Sequence, residues 1–111
     1  MSLSLDEFRC SHCGKLVLDS IFFAKLSRAR VIADVPFIIN SGYRCEAYNK
    51  AEGSTSQNHV QGKAADIKAT DGLTRSRILT GLYGAGFKRV GIRKDFIHAD
   101  TMEEVESCWL Y

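Results

Sequence analysis

Gln57-Asn58-His59-Val60-Gln61-Gly62-Lys63-Ala64-Ala65-Asp66-Ile67-Lys68-Ala69 is the stretch on which the reading of this chain turns. It opens as a polar loop and continues as a run of strand length. From Lys63 to Ala69 the side chains alternate, with Ala65 and Ile67 on one face and Ala64, Asp66 and Lys68 on the other. Gly62 permits a tight entry from loop to strand. Asp66 then stands inside an otherwise apolar strand, where a charge is costly unless it has a partner. A bound cation would be such a partner. His59 closes the loop, and a second histidine follows 32 residues after Asp66, in Asp95-Phe96-Ile97-His98-Ala99-Asp100. Two histidines and an aspartate can give zinc three protein ligands and leave a fourth position open, the pattern of a catalytic rather than a structural site. Taken singly, each has a blander account. A strand histidine is usually a hydrogen-bonded structural residue, and a buried aspartate usually caps a turn or pairs with arginine.

Outward from this stretch, the punctuation of the sequence predicts alternating elements. Residues 19–33 read as an amphipathic helix, with Ile21, Phe22, Ala24, Leu26, Ala29 and Ile32 apolar and Lys25, Arg28 and Arg30 facing water. Val35-Pro36-Phe37-Ile38-Ile39-Asn40 reads as a strand, and Ser41-Gly42-Tyr43-Arg44 turns the chain. A short helix over Glu46 to Glu52 stops at Gly53, and Ser54 to Asn58 form a polar loop. Leu73 to Tyr83 forms a helix ended by Gly84 or Gly86. Arg89-Val90-Gly91-Ile92 and Phe96-Ile97-His98-Ala99 are strands joined by three residues, a spacing that predicts a hairpin. Thr101-Met102-Glu103-Glu104 fits a capping box and predicts a C-terminal helix. The expected class is α+β, a small, mainly antiparallel sheet with flanking helices.

With 111 residues the chain is expected to form one domain (1–111). A net charge of +2 is too small to argue for nucleic acid. No apolar run approaches the eighteen or so residues that span a membrane. No signal peptide is visible at the start, and Met1-Ser2-Leu3 carries no weight. The four cysteines are Cys10, Cys13, Cys45 and Cys108. Cys10-Ser11-His12-Cys13 is a C-x-x-C, which invites a zinc-knuckle or redox reading. A structural zinc site needs four ligands, and no second C-x-x-C exists. Cys45, Cys108 or His12 could complete one, but their spacing gives no support, so free thiols or an incidental disulfide are the expectation.

Ser41-Gly42-Tyr43-Arg44, then His59-x-x-Gly62-x-Ala64-x-Asp66, then Phe96-Ile97-His98-x-Asp100 closely resembles the family of zinc D-alanyl-D-alanine carboxypeptidases and L-alanyl-D-glutamate endopeptidases. The resemblance runs from about Phe8 to Asp100. It implies the hedgehog/DD-peptidase fold, a zinc ion as cofactor, and peptidoglycan stem peptides as substrates. It assigns His59, Asp66 and His98 as the metal ligands and Arg44 as the arginine near the substrate carbonyl or carboxylate. Arg44's fixed fork of donors suits either role, and the bland alternative is a salt bridge that fixes its own turn. Ala64 leaves room beside the metal. The family places a serine two residues before the first histidine, where this chain has Gln57, with Ser56 one further upstream. Peptide hydrolysis also needs a carboxylate to carry a proton. Asp95 gives D-x-x-H, resembling the acidic-x-x-His of the family's dipeptidases and phage endolysins, and is the expected base. Asp100 gives H-x-D, either an alternative base or the acceptor that orients a ligand histidine.

The resemblance implies a zinc metallopeptidase acting as a monomer. With no wall-binding module and no signal peptide in view, a phage or prophage lysis enzyme is expected, made in the cytoplasm and acting at the bacterial cell wall. A rival reading is a non-catalytic zinc-containing binding module of the same fold, as the hedgehog signalling domain illustrates. A C-x-x-C redox or zinc-knuckle protein is a third, which accounts for Cys10 and Cys13 alone.

Overall fold

The computed structural model of the chain describes residues 3–51, 59–103 and 105–111. After a short 3-10 turn at Leu5–Phe8 come α1 (Ser20–Ala33), β1 (Ile39–Ser41), α2 (Glu46–Ala51), β2 (Ala64–Lys68), α3 (Gly72–Gly84), β3 (Arg89–Ile92), β4 (Phe96–Asp100) and β5 (Ser107–Leu110). The strands form one five-stranded sheet in the order β1-β2-β4-β3-β5. All neighbours are antiparallel except β3 and β5, which are parallel. This is the α+β architecture with a mainly antiparallel sheet that the element order predicts, and it is compatible with a small hedgehog/DD-peptidase-like fold.

The alternation of β2 divides the molecule. Ala65 and Ile67 point into the core with Val90, Ile97 and Ala99, where they meet Phe22, Leu26, Ala29 and Ala33 of α1 and Ile78 and Leu82 of α3. Asp66, His98 and Asp100 occupy the alternate positions. The helices therefore seal one face of the sheet and leave the other for polar chemistry. Asp19 starts α1 by accepting the Phe22 N–H (2.9 Å), and Asp34 ends it in the left-handed region at φ 55°. Ile21, expected on the apolar face, lies outside the stripe and is 72% exposed. No helix among the described residues is long and apolar enough to cross a membrane.

Two expectations change. The strand expected over 35–40 is confined to Ile39–Ser41. Pro36 has no N–H to give a ladder, although Phe37 is still buried in the core. A register irregularity between Ile39 and Ser41 sets Ser41 opposite Asp66, as a bulge re-aims the residues beyond it. The expected C-terminal helix does not form. The Met102 N–H instead bonds to the Asp100 carboxylate (3.1 Å), the Thr101 N–H to the Lys63 carbonyl (3.1 Å), and the chain goes on into β5 beside β3. The open edge of β3 offers a ladder to a segment whose Ser107, Trp109 and Tyr111 share one side, and that outweighs a local capping signal. Glu104, the expected cap residue, lies outside the described residues, as do the expected helix end at Glu52 and Gly53 and the loop at 54–58.

Gly62 does what a tight loop-to-strand entry requires. Its φ is +69°, and a Cβ there would strike the Val17 carbonyl. Its own carbonyl accepts the Asp19 N–H (3.0 Å), which ties the start of β2 to the start of α1. Gly62→Ala is expected to destabilise the protein by at least about 1–2 kcal/mol from the left-handed backbone alone, with the clash adding to it. Urea unfolding of the two proteins measures the difference, and equal midpoints would contradict this account.

Candidate metal centre

One rung of the sheet carries the site. Ser41 pairs with Asp66, Asp66 with His98, His98 with Gly91, and Gly91 with Trp109, so a single row crosses all five strands. Asp66 and His98 are thus direct cross-strand neighbours on one face. His59 comes to them from the loop before β2, held where its carbonyl accepts the N–H groups of Gly62 (3.2 Å) and Arg44 (3.3 Å). The His59 and His98 rings lie 5.3 Å apart, edge to face. All three side chains are buried, and one ligand atom from each falls within 4.8 Å of the others.

The outward-facing nitrogens fix the inward-facing ones. His59 Nδ1 lies 2.7 Å from the Gly42 carbonyl oxygen, which can only accept, so Nδ1 carries the proton. Nε2 is then the nitrogen left to face the cluster, 3.5 Å from Asp66 Oδ1. His98 uses its nitrogens the other way round. Its Nε2 donates to Asp100 Oδ2 (2.7 Å), and Nδ1 faces Asp66 Oδ1 (2.9 Å). One nitrogen of each ring is anchored by an acceptor and the other is aimed at a common point, the arrangement found behind metal-ligating histidines. These residues fit a divalent cation with nitrogen and carboxylate ligands, and the donor set is that of a zinc site with an open position.

Gly42 makes the first anchor possible. A Cβ there would lie 2.6 Å from Phe8 Cα. Only glycine lets Ser41-Gly42-Tyr43 press against the Phe8 backbone, where the Tyr43 N–H meets the Phe8 carbonyl (2.8 Å). Arg44 follows. Its Nε donates to Ser41 Oγ (2.9 Å), and its Nη2 lies 3.3 Å from Asp66 Oδ2. Arg44 therefore reaches the site and also braces its own turn.

The two carboxylates expected to matter part company. Asp100 belongs to the cluster, is 1% exposed, and has both oxygens engaged. Oδ2 holds His98, while Oδ1 takes Arg89 Nε (2.7 Å) and the Met102 N–H (3.1 Å). Asp95 is not brought into the cluster. It precedes β4 in the hairpin turn, half-exposed, with Arg93 Nε 3.4 Å away. Gln57 and Ser56 lie outside the described residues.

Burial disfavours the charged form of Asp66, but its bonds to His59 and His98 outweigh that and hold its carboxyl well below the usual range. Burial likewise opposes ionisation of Asp100, and His98, the Met102 N–H and Arg89 overcome it. Burial pushes His98 down, yet Asp100 and Asp66 win and raise it. In the metal-free protein, the His98 contribution to stability is full below about pH 6.5 and is lost as pH climbs through its raised value. The Asp66 and Asp100 contributions are present above about pH 3.9 and fade as pH falls through their depressed values. Thermal unfolding of chelated protein is therefore expected to show greatest stability between about pH 4 and 6.5, declining on the alkaline side. Metal affinity is expected to rise with pH over the same alkaline range, because the metal must displace the His98 proton. A metal-free melting temperature that climbs steadily above neutrality would contradict the assignment.

The sequence reading missed three members of the site. Arg89 pairs with Asp100 across the hairpin register, and its guanidinium lies 5.2 Å from the centre of the Trp109 ring. Trp109 lies over Gly91, where a Cβ would collide with the indole, and its ring centre is 5.5 Å from that of His98. Tyr111 stacks obliquely on Phe96 at 5.2 Å, and burial together with the charges of Asp66 and Asp100 raises its hydroxyl pKa. The signal for the last two was the alternation Ser107-x-Trp109-x-Tyr111, which the capping-box reading obscured.

A family model described as Peptidase M15 matches residues 2–100 of the chain. No curated protein matches it.

Proposed function

Because the chain belongs to the Peptidase M15 family, we propose that it is a zinc-dependent peptidase hydrolysing peptide bonds in the stem peptides of peptidoglycan. The observation that carries this reading is the convergence of His59 Nε2, His98 Nδ1 and Asp66 on one point, with the opposite ring nitrogens anchored by Gly42 and Asp100. When bound, the metal supplies Lewis-acid polarisation of the scissile carbonyl and acidifies water.

The remaining roles fall to the chain's own groups. Asp66 is matched by Arg44 and Asp100 by Arg89, so a divalent ion enters as uncompensated positive charge. Such a site favours a peptide that brings a carboxylate, as stem peptides do. Arg44 holds the substrate carboxylate or the oxygen on which charge develops, through donors beyond those committed to Ser41 and Asp66. Trp109 and Tyr111 offer an aromatic wall beside the ligands. Asp100 positions His98 and, with both oxygens engaged, leaves proton transfer to Asp95. The Arg93–Asp95 pair is about half-exposed on both sides, so little free energy opposes its opening when substrate arrives. Asp95 then takes a proton from the attacking water and returns it to the leaving amine. We propose that one chain suffices, since all the candidate ligands come from a single protomer.

The test is mass spectrometry of purified peptidoglycan after incubation with zinc-loaded protein. New amine and carboxyl ends within the stem identify the bond, and loss of a terminal residue separates a carboxypeptidase from an endopeptidase. No new ends from protein with a filled metal centre would overturn the reading in favour of a non-catalytic binding module.

A further inference from the structure

Three of the four cysteines converge at a second place. One Sγ each from Cys10, Cys13 and Cys45 fall within 4.8 Å of one another, although Cys45 is 35 residues from Cys10. The sequence spacing gave no sign of this. The convergence is built by tertiary structure, because the Phe8 carbonyl accepts the Tyr43 N–H and lays the N-terminal segment beside Ser41-Gly42-Tyr43-Arg44.

The Cys10–Lys15 segment has the form of a closed knuckle. The Cys10 N–H donates to the Lys15 carbonyl (2.8 Å), and the Gly14 N–H donates to the Cys10 carbonyl (2.8 Å). Gly14 takes a φ of +73° to close the turn. Inside it, the Cys45 N–H points at Cys10 Sγ (3.4 Å), and the backbone N–H groups of His12 and Cys13 reach the same sulfur. Donors aimed at a sulfur orient it, as outer contacts orient a metal ligand. His12 Nδ1 lies 3.4 Å from Cys45 Sγ. Tetrahedral zinc, with bonds of about 2.3 Å to sulfur and about 2.0–2.1 Å to nitrogen, would set such a pair roughly 3.5 Å apart.

We propose that Cys10, Cys13 and Cys45 bind a structural zinc ion, distinct from the His59–Asp66–His98 centre, with His12, which lies beside Cys45 but is not gathered with all three sulfurs, swinging in as the fourth ligand. A disulfide between two of these cysteines would leave the third sulfur over, whereas a metal engages all three. Each thiol releases its proton to solvent as its sulfur joins the metal, and the neutral imidazole adds a lone pair. Four protein ligands close the coordination sphere, as in structural rather than catalytic zinc sites. The ion would clamp the N-terminal knuckle to the residue after Arg44, on the turn whose Gly42 carbonyl anchors His59. Its role is to hold that turn, not to touch substrate.

The experiment is metal analysis and cobalt substitution of the full chain purified under reductant. Wild-type protein is expected to hold two equivalents of zinc, and the cobalt form to show a near-ultraviolet thiolate-to-metal charge-transfer band. Cys13→Ser, at an exposed position, should lose one equivalent and that band while still binding cobalt through its nitrogen and carboxylate site. Cys45→Ser should do the same, with a lower melting temperature. His59→Ala should lose the other equivalent and keep the band. His12→Ala should retain the band but bind the thiolate-site metal at least about tenfold more weakly, in line with loss of one ligand. One equivalent in the wild type that disappears with His59→Ala would overturn the proposal. So would an intact mass lacking the hydrogens of a thiol pair among these cysteines. Unchanged affinity in His12→Ala would overturn the assignment of His12.

Discussion

His98→Ala is expected to abolish binding of one metal equivalent and to lower kcat/KM on stem peptides by about a thousandfold or more. The size follows from what is removed. A metal's stabilisation of developing charge is worth several kcal/mol, and each 1.36 kcal/mol is tenfold in rate. His98 is hard to bypass, because its Nδ1 is one of the three ligand atoms that meet at the centre among the described residues. The substitution also strips Asp100 of its Nε2 partner and Asp66 of a cross-strand neighbour, leaving two buried carboxylates with fewer groups to offset their charge. Metal content by elemental analysis and rates on defined peptides check both parts. A variant that keeps both its metal and near-normal turnover would remove His98 from the ligand set. Chelation of the wild type should reproduce the loss, and added zinc should reverse it.

The second large effect is a contrast between two aspartates on one strand. Asp95→Ala is expected to keep its metal and its stability while losing about 10²–10⁴-fold in kcat, the usual contribution of a general base. Asp100→Ala should lose about 10–100-fold in metal affinity, because His98 is no longer oriented. It should also unfold more easily by roughly 1–3 kcal/mol, because His98 and the Met102 N–H lose their acceptor and the partly exposed Arg89 keeps only its looser contact with Glu103 (3.7 Å). Asp100→Asn retains an oxygen for His98 Nε2–H and should recover much of the metal affinity. Turnover near wild type in Asp95→Ala, together with an Asp100→Ala protein that binds metal normally and does not turn over, would transfer the base role to Asp100.

Legibility in the sequence followed the range of the interactions. β2 could be read because period-two alternation is local, and the same alternation separated Ala65 and Ile67 from Asp66. The three metal-ligand candidates were legible through the spacing His59-x-x-Gly62-x-Ala64-x-Asp66 and its resemblance to a family, and the structure brings them together. What stayed hidden was non-local. Nothing near Thr101 reveals that β3 has an open edge, so a capping-box pattern predicted a helix where β5 forms. Arg89 could be identified only from the hairpin register that sets it opposite Asp100. Cys45 joins Cys10 and Cys13 through contacts made by Phe8 and Tyr43, which no cysteine spacing encodes. Asp95 and Asp100 looked interchangeable as carboxylates flanking one histidine. Their surroundings separate them, one half-exposed beside Arg93 and the other sealed beneath Arg89 and His98.

The row Ser41, Asp66, His98, Gly91, Trp109 ties two kinds of error together. If β4 slipped by one residue against β2, Asp66 would face Ile97 or Ala99 instead of His98. The same slip would turn the faces over, forcing histidine and aspartate toward the helices and Ile97 into water. A misregistered chain therefore could not persist as a well-packed but inert molecule, since the mistake that dismantles the centre also ruins the core. Preparations of this protein should accordingly contain competent molecules and unfolded ones, with little between them, and active-site titration should return the folded fraction.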